Sequence, residues 1–165
     1  MQSILIVDID NCYTDSREWL KQAPHITKDN EVNKRELWDE FHALSYLAKP
    51  NKTVIDLVST LSFFFPVFFL TSREDRGDNR EITKRQIAEF SDNRVLVEGR
   101  NKLLMRSDSD YRPTNEVKQE MIRTLIMDCK PILAIDDDES NCEMFKRHKI
   151  PTYKYDIEKD WFEVV

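Results

Sequence analysis

Short apolar runs alternate along the chain with longer segments in which apolar residues recur every three or four positions. Continuous apolar runs, typical of buried strands, cover residues 3–7, 66–70 and 131–135. Shorter apolar stretches predict further strands at 94–97, 102–105 and 152–155. Helical spacing predicts amphipathic helices over 51–63, near 82–90, from Thr114 as an N-cap onward, and near 139–147. Because strands and helices alternate, we expect a three-layer, Rossmann-like α/β fold with a mainly parallel sheet.

Residues 14–50 are more polar than the rest of the chain, and their apolar residues recur at helical spacing. We expect one domain over residues 1–165, with residues 14–50 as a small helical cap insert within it. The insert would form part of a roof over a site and restrict its substrates. Trp38 and Phe41 are expected to anchor the core of this cap, and stacking of a nucleic-acid base on one of them is the alternative.

Composition narrows the function classes. The chain has 2 glycines, so it has neither a dinucleotide-binding fingerprint nor the phosphate loop of P-loop kinases. Its net charge of -6 disfavours broad, salt-driven binding to duplex DNA. The 3 cysteines and 3 histidines show no zinc spacing, and free thiols are typical of a reducing cytoplasm. The apolar run of residues 61–70 is too short to span a bilayer, so we expect a cytoplasmic protein without a membrane partner.

Carboxylates and hydroxyls follow the three clearest strands at the points where they end. These side chains belong to Asp8 and Asp10, to Thr71 and Ser72, and to Asp136, Asp137 and Asp138. In open α/β sheets, ligands bind beyond the carboxyl ends of the strands. Carboxylates gathered there need a cation, and oxygen ligands without histidine or cysteine favour Mg²⁺ over zinc. With a hydroxyl and a nearby lysine, the pattern indicates metal-assisted phosphoryl transfer to a carboxylate nucleophile.

The chain resembles the haloacid-dehalogenase-like (HAD) phosphatase superfamily, whose four motifs can be placed in order. They match residues 6–12, residues 69–71, Lys118 and residues 135–137. The resemblance implies a HAD fold in which Asp8 is the nucleophile that forms an aspartyl-phosphate. Asp10 would protonate the leaving oxygen and later deprotonate water, while Thr71 and Lys118 would bind the phosphoryl group. It also implies Mg²⁺ as cofactor, held by Asp8, Asp10 (through its carbonyl), Asp136 and Asp137.

A narrower resemblance points to the phosphatase half of phage polynucleotide kinases and to small stand-alone phage relatives. It is carried by residues 104–113 with Val117-Lys118, by Thr71-Ser72-Arg73, and by Arg80 and Thr83. It implies removal of 3′-phosphates from nucleic-acid ends, in the host cytoplasm if the protein is phage-encoded. Candidate substrate-binding residues are Ser72, Arg73, Arg106 and Arg112, and a solvated or salt-bridged side chain is the alternative for each arginine.

The sequence departs from the HAD pattern after the second aspartate, where Asn11-Cys12 replaces the usual Gly-Thr. Asparagine tolerates positive φ, so it can substitute for that glycine, and we expect Cys12 to be a packing residue. Two other functions stay open. One is a 5′-nucleotidase for free nucleoside monophosphates, and the other is a catalytically weak domain that binds nucleotides or a partner.

Overall fold

The centre of the fold is a six-stranded sheet with the first strand of the chain in the middle. The computed structural model describes residues 1–18 and 45–165. Its strands are β1 (Gln2–Val7), β4 (Val67–Glu74), β5 (Lys102–Arg106), β6 (Cys129–Asp136), β7 (Thr152–Asp156) and β8 (Trp161–Val164). They lie side by side in the order β5-β4-β1-β6-β7-β8. All neighbours pair in parallel except β7 and β8, which are antiparallel, so the expected mainly parallel α/β sheet is confirmed.

Helices cover both faces of this sheet. The described helices are α1 (Lys52–Leu61), α2 (Asn79–Phe90), α3 (Thr114–Asp128) and α4 (Glu139–Arg147). Successive side chains of a strand point to opposite faces, so an apolar run such as β1 supplies two cores. Leu5 and Val7 pack in one core with α1 and α2, and Ile4 and Ile6 pack in the other with α3 and α4. The result is the three-layer arrangement expected from the sequence.

Three local predictions differ from the structure. Residues 94–97 form bends and irregular backbone rather than a strand, directly after Asp92 and Asn93, which have positive φ values of 51° and 59°. Pro113 is the N-cap of α3, and Thr114 is its first helical residue. Strand β8 is absent from the predictions because it is an edge strand whose Trp161 and Val164 are 68% and 77% exposed, so no buried apolar run marks it.

The ends of the predicted insert are described, but its interior is not. Strands β2 (Thr14–Asp15) and β3 (Lys49–Pro50) pair antiparallel, and a short 3-10 helix (Ser45–Leu47) precedes β3. The prediction of a helical cap falls largely on residues 19–44, outside the described residues, together with the predictions for Trp38 and Phe41. Among the helices in the described ranges, none has the length and apolar character needed to cross a membrane.

Candidate active site

The carboxyl ends of β1, β4 and β6 lie at one edge of the sheet, as the sequence predicts, but β4 continues to Glu74, so Thr71 and Ser72 lie within this strand rather than after it. Asp8 follows β1, and its amide donates to the carbonyl of Ile135 in β6 at 2.9 Å. Asp8, Thr71 and Asp136 are 6%, 1% and 1% exposed. Since β1 lies between β4 and β6, residues that are far apart in sequence form one buried polar site.

Lys118 occupies the centre of the acidic part of this site. Its ammonium group is buried and donates to Asp8 Oδ1 at 2.5 Å and to Asp136 Oδ2 at 2.7 Å. Burial by itself lowers the pKa of Lys118, but the adjacent carboxylates of Asp136 and Asp8 raise it above its ordinary value. The ammonium group is therefore charged and binds two of the predicted site residues at once.

Asp136 is also held from α4. Its Oδ1 accepts hydrogen bonds from the amide of Asp138 at 3.1 Å and from Asn141 Nδ2 at 3.0 Å. Asp138 is the N-cap of α4 and accepts from the Asn141 amide. Asn141 is not among the residues predicted from the sequence, although its position in the first turn after the Asp136-Asp137-Asp138 run brings it back to the strand end.

The three carboxylates of Asp8, Asp136 and Asp137 form a candidate metal centre. One oxygen from each lies within 4.8 Å of the others. Burial raises the pKa of Asp8 well above its usual range, and Lys118 opposes this shift while Asp136 and Asp137 add to it. Burial and then the charge of Asp136 raise the pKa of Asp137 to about 7. One ammonium group thus leaves the carboxylates with excess negative charge, which a divalent cation would neutralise.

A buried acceptor atom next to Asp136 also suits binding of a divalent cation at this site. Asn141 Oδ1 has no hydrogen-bond partner among the described residues and sits on the amide that binds Asp136. A free oxygen acceptor on an amide that contacts Asp136 suits a hard cation or a water molecule bound to it. The carboxylate of Asp10 is not part of this cluster. Binding of metal through the Asp10 carbonyl therefore stays a prediction.

Asp10 faces Arg73 instead. The Arg73 guanidinium is 1% exposed, and it donates from Nη2 to Asp10 Oδ1 at 2.6 Å and from Nε to Oδ2 at 3.0 Å. Its Nη1 donates to Thr83 Oγ1 at 3.1 Å and to Gln86 Oε1 at 2.8 Å, both on α2. Arg73, which the sequence suggests as a ligand for substrate, thus also fixes the orientation of Asp10.

The loop after Asp8 accommodates the two residues that depart from the HAD pattern, Asn11 and Cys12. Asn11 has φ 59°, as expected for a residue that replaces glycine. Cys12 is fully buried, and its thiol faces the Ile135 carbonyl at 3.7 Å, while burial raises the pKa of that thiol. Asn51 Nδ2 donates to the Cys12 carbonyl at 2.7 Å, and its Oδ1 accepts from Tyr155 at 3.1 Å. These two contacts of Asn51 were not predicted from the sequence, because they connect Cys12 to Tyr155, more than 100 positions away.

The remaining predicted substrate residues lie around the loop that follows β5. Arg106 donates to the main-chain carbonyls of Ser72 at 3.0 Å, Asp110 at 2.8 Å and Arg112 at 2.6 Å. Ser72 is half-buried. The side chain of Arg112 is 48% exposed and pairs with Asp110 and Glu120, each at 2.6 Å. Arg106 therefore joins β4 to the loop that follows β5, while Arg112 offers an accessible cation.

Comparison with known families and structures agrees with this geometry. The family described as "Polynucleotide kinase PNKP phosphatase domain" matches residues 3–158. No curated protein matches the sequence.

Three solved structures share the fold. A chain of the Pnkp1/Rnl/Hen1 complex has 20% identity and a TM-score of 0.66, and the match covers 93% of this chain and 46% of that one. A haloacid dehalogenase-like hydrolase from Streptococcus pneumoniae has 15% identity and a TM-score of 0.64, with 94% and 85% covered. A HAD family enzyme from Bacteroides thetaiotaomicron, in complex with magnesium and inorganic phosphate, has 14% identity and a TM-score of 0.53, with 98% and 97% covered. The chain thus spans less than half of its counterpart in the first structure.

Proposed function

The chain belongs to the family of polynucleotide kinase PNKP phosphatase domains, within the HAD phosphatases, and on this premise we propose that it removes 3′-phosphates from polynucleotide ends with Mg²⁺. The observation that carries the proposal is the buried cluster in which Lys118 binds both Asp8 and Asp136. A lysine between two carboxylates at the end of a parallel sheet suits a site that must accept a phosphoryl group and a cation together.

Asp8 is the proposed nucleophile. One of its carboxylate oxygens attacks phosphorus, the bond from phosphorus to the ester oxygen breaks, and an aspartyl-phosphate forms on Asp8. Water then attacks the same phosphorus, the bond to Asp8 breaks, and inorganic phosphate leaves. Lys118, which binds Asp8 Oδ1 at 2.5 Å, orients the carboxylate and offsets charge on the phosphoryl oxygens.

Asp10 is the proposed acid and base. In the first step its proton passes to the leaving ester oxygen, and in the second it accepts a proton from the attacking water. The two hydrogen bonds from Arg73 keep its carboxyl group in one orientation for both transfers. Thr71 lies buried in β4, two residues beyond the last pair that β4 forms with β1, and is the proposed hydroxyl ligand of the phosphoryl oxygens.

Mg²⁺ would be held by the carboxylates of Asp8, Asp136 and Asp137 and by the Asp10 carbonyl. When bound, it would neutralise negative charge between the nucleophile and the phosphate, as a Lewis acid does. Asn141 and the Asp138 amide hold Asp136 in place for this task.

A polynucleotide end as substrate is supported by the family match and by the arginines around the site. A single strand end needs few phosphate contacts, which agrees with a net charge of -6. Arg112 is exposed enough to exchange Asp110 and Glu120 for a substrate phosphate. The described cysteines are all free thiols, so we place the reaction in a reducing compartment such as the cytoplasm.

The test is phosphate release with Mg²⁺ from a 3′-phosphorylated oligonucleotide and, in parallel, from 5′-nucleoside monophosphates. The expected result is release from the oligonucleotide, reduced on the order of 10⁴-fold or more in Asp8→Asn, which keeps the shape but removes the nucleophile. Asp128→Asn, which changes an exposed carboxylate at the end of α3, is the matched control and should keep full activity.

Preference for free nucleotides would replace the 3′-end assignment with a 5′-nucleotidase. Absence of release from either substrate by folded wild-type protein would refute hydrolysis of both and favour the binding domain.

A further inference from the structure

A chain of buried hydrogen bonds leads from Asp10 through Arg73 to a residue outside the HAD motifs, Gln86. Gln86 is 6% exposed, and its Oε1 accepts from Arg73 Nη1 at 2.8 Å. Its Nε2 donates to the main-chain carbonyl of Ser45 at 2.5 Å. Ser45 is itself buried and begins the 3-10 helix that precedes β3. Asp10, Arg73, Gln86 and Ser45 are thus joined in one continuous path.

The two bonds of Gln86 fix the orientation of its amide group. A guanidinium has only donors and a carbonyl only accepts, so the Gln86 oxygen must face Arg73 and the nitrogen must face Ser45. Rotating the amide by half a turn would place NH₂ against the guanidinium and oxygen against the carbonyl. In a buried setting each mismatch carries the full cost of an unpaired polar group. Gln86 is therefore held in one position at both ends.

The Arg73 side of this path needs such an anchor. The guanidinium is planar, and it binds both oxygens of Asp10 only when Nε and Nη2 lie in the plane of that carboxylate. Its third nitrogen, Nη1, binds Thr83 and Gln86, which are three residues apart on α2. Acceptors on Nη1 restrict rotation of the whole plane, so they determine where Asp10 points.

We propose that Gln86 is a positioning residue of the phosphatase, which holds Arg73 in the plane required to orient Asp10. The proposal rests on the proposed function, because it concerns the acid that protonates the leaving oxygen. It also links that acid to the Ser45 turn, so the segment that returns to the sheet through β3 and α1 supports the proton transfer.

The test uses the leaving group as its readout. An alkoxide leaving from a 3′-phosphorylated oligonucleotide needs the proton from Asp10, whereas p-nitrophenolate leaves readily without it. Gln86→Met keeps the side-chain length and removes both hydrogen bonds. We expect it to lower kcat/KM for the oligonucleotide about 10- to 100-fold, and to change kcat/KM for p-nitrophenyl phosphate less than about twofold. Because kcat/KM covers the steps up to phosphoryl transfer, hydrolysis of the aspartyl-phosphate does not obscure the comparison.

Two further variants separate positioning from packing. Asp10→Asn combined with Gln86→Met is expected to be no slower on the oligonucleotide than Asp10→Asn alone, since Gln86 acts through Asp10. Ile87→Val, which alters a fully buried neighbour on α2 that packs in the core, should lower the melting temperature without favouring either substrate. If Gln86→Met does not fold, Gln86→Asn takes its place, because its shorter amide can reach either Arg73 or Ser45 but not both. We expect it to show the same selective fall in kcat/KM for the oligonucleotide.

A measurement without catalysis follows the anchor directly. In metal-free wild-type protein labelled with ¹⁵N, the Nε–H proton of buried Arg73 is expected to exchange slowly with water. The exchange rate should be at least tenfold higher in Gln86→Met and the same as in the wild type in Ile87→Val. Equal loss on both substrates, an additive double variant, or an unchanged exchange rate would overturn the positioning role. If the wild-type protein itself does not hydrolyse the 3′-phosphorylated oligonucleotide, that result would refute the proposed function and with it the positioning role of Gln86.

Discussion

Asp8 and Asp10 are separated by one residue, and their carboxylates face different surroundings. Asp8 lies with Asp136 and Asp137 around one lysine, so negative charge exceeds positive charge there. Asp10 pairs with one arginine whose other contacts include the neutral acceptors Thr83 and Gln86. The first region thus favours binding of a divalent cation, whereas in the second region the Asp10 carboxyl group already meets the Arg73 guanidinium. The two surroundings thus correspond to the two proposed roles, which are metal binding and nucleophilic attack at Asp8 and proton transfer at Asp10.

Removing Lys118 should have the largest effect on the Asp8 side. In Lys118→Met the carboxylates of Asp8 and Asp136 lose their buried cation, and we expect the free energy of unfolding to fall by about 3–5 kcal/mol. Mg²⁺ should restore part of this loss, because it compensates the same carboxylates. Thermal unfolding with and without Mg²⁺ measures both effects. Lys146→Met, on the exposed face of α4, is the control, and equal stability of the two variants would contradict the role given to Lys118.

A change at Arg73 should separate the two sides. Arg73→Lys keeps the charge but cannot bind both oxygens of Asp10 while reaching Thr83 and Gln86. We expect kcat on a 3′-phosphorylated oligonucleotide to fall about 10- to 100-fold, with little change in the Mg²⁺ concentration that half-stabilises the protein. A parallel loss of Mg²⁺ affinity would mean that the two regions are not independent.

The pH dependence of Mg²⁺ binding should give the smallest effect. In the metal-free folded protein Asp137 has a pKa of about 7, whereas in an unfolded chain an aspartate titrates near 4. The folded state therefore binds more protons between these values, and the metal-free protein loses stability as pH rises from about 4 to 7. Mg²⁺ competes with that proton, so its apparent Kd should rise about tenfold for each pH unit below 7. Melting-temperature titrations with Mg²⁺ at pH 5.5, 6.5 and 8 test this, and an affinity independent of pH would contradict it.

The acidic side of the site could be predicted from the sequence because its signals are local. Asp8, Asp136 and Asp137 directly follow apolar runs, and Lys118 stands in a short signature near the start of a helix. Buried strands and amphipathic helices have strong periodicity, which explains why α4 was predicted with its observed ends, Glu139–Arg147. Asparagine at position 11 likewise predicted the positive φ found there.

The supporting contacts could not be predicted in this way. The bonds from Arg73 to Asp10, from Gln86 to Ser45 and from Asn51 to Cys12 span 63, 41 and 39 residues. No local periodicity records such pairs, because they depend on how α1 and α2 pack against the sheet. Residues 94–97 resemble a strand in the sequence because Val95 is apolar and buried, but its burial comes from packing in the core and not from strand pairing.

The central position of β1 also affects how the protein is made. Gln2 pairs with Cys129 and Val7 with Ile135, so β1 leaves the ribosome before β6, one of its two neighbours, has been synthesised. Asp8 is likewise translated well before Lys118 and Asp136. In a nascent chain Asp8 is therefore without these two neighbours, and the proposed catalytic site is complete only once β6 has been synthesised. Ribosome-stalled chains that end before residue 136 should accordingly show no phosphatase activity.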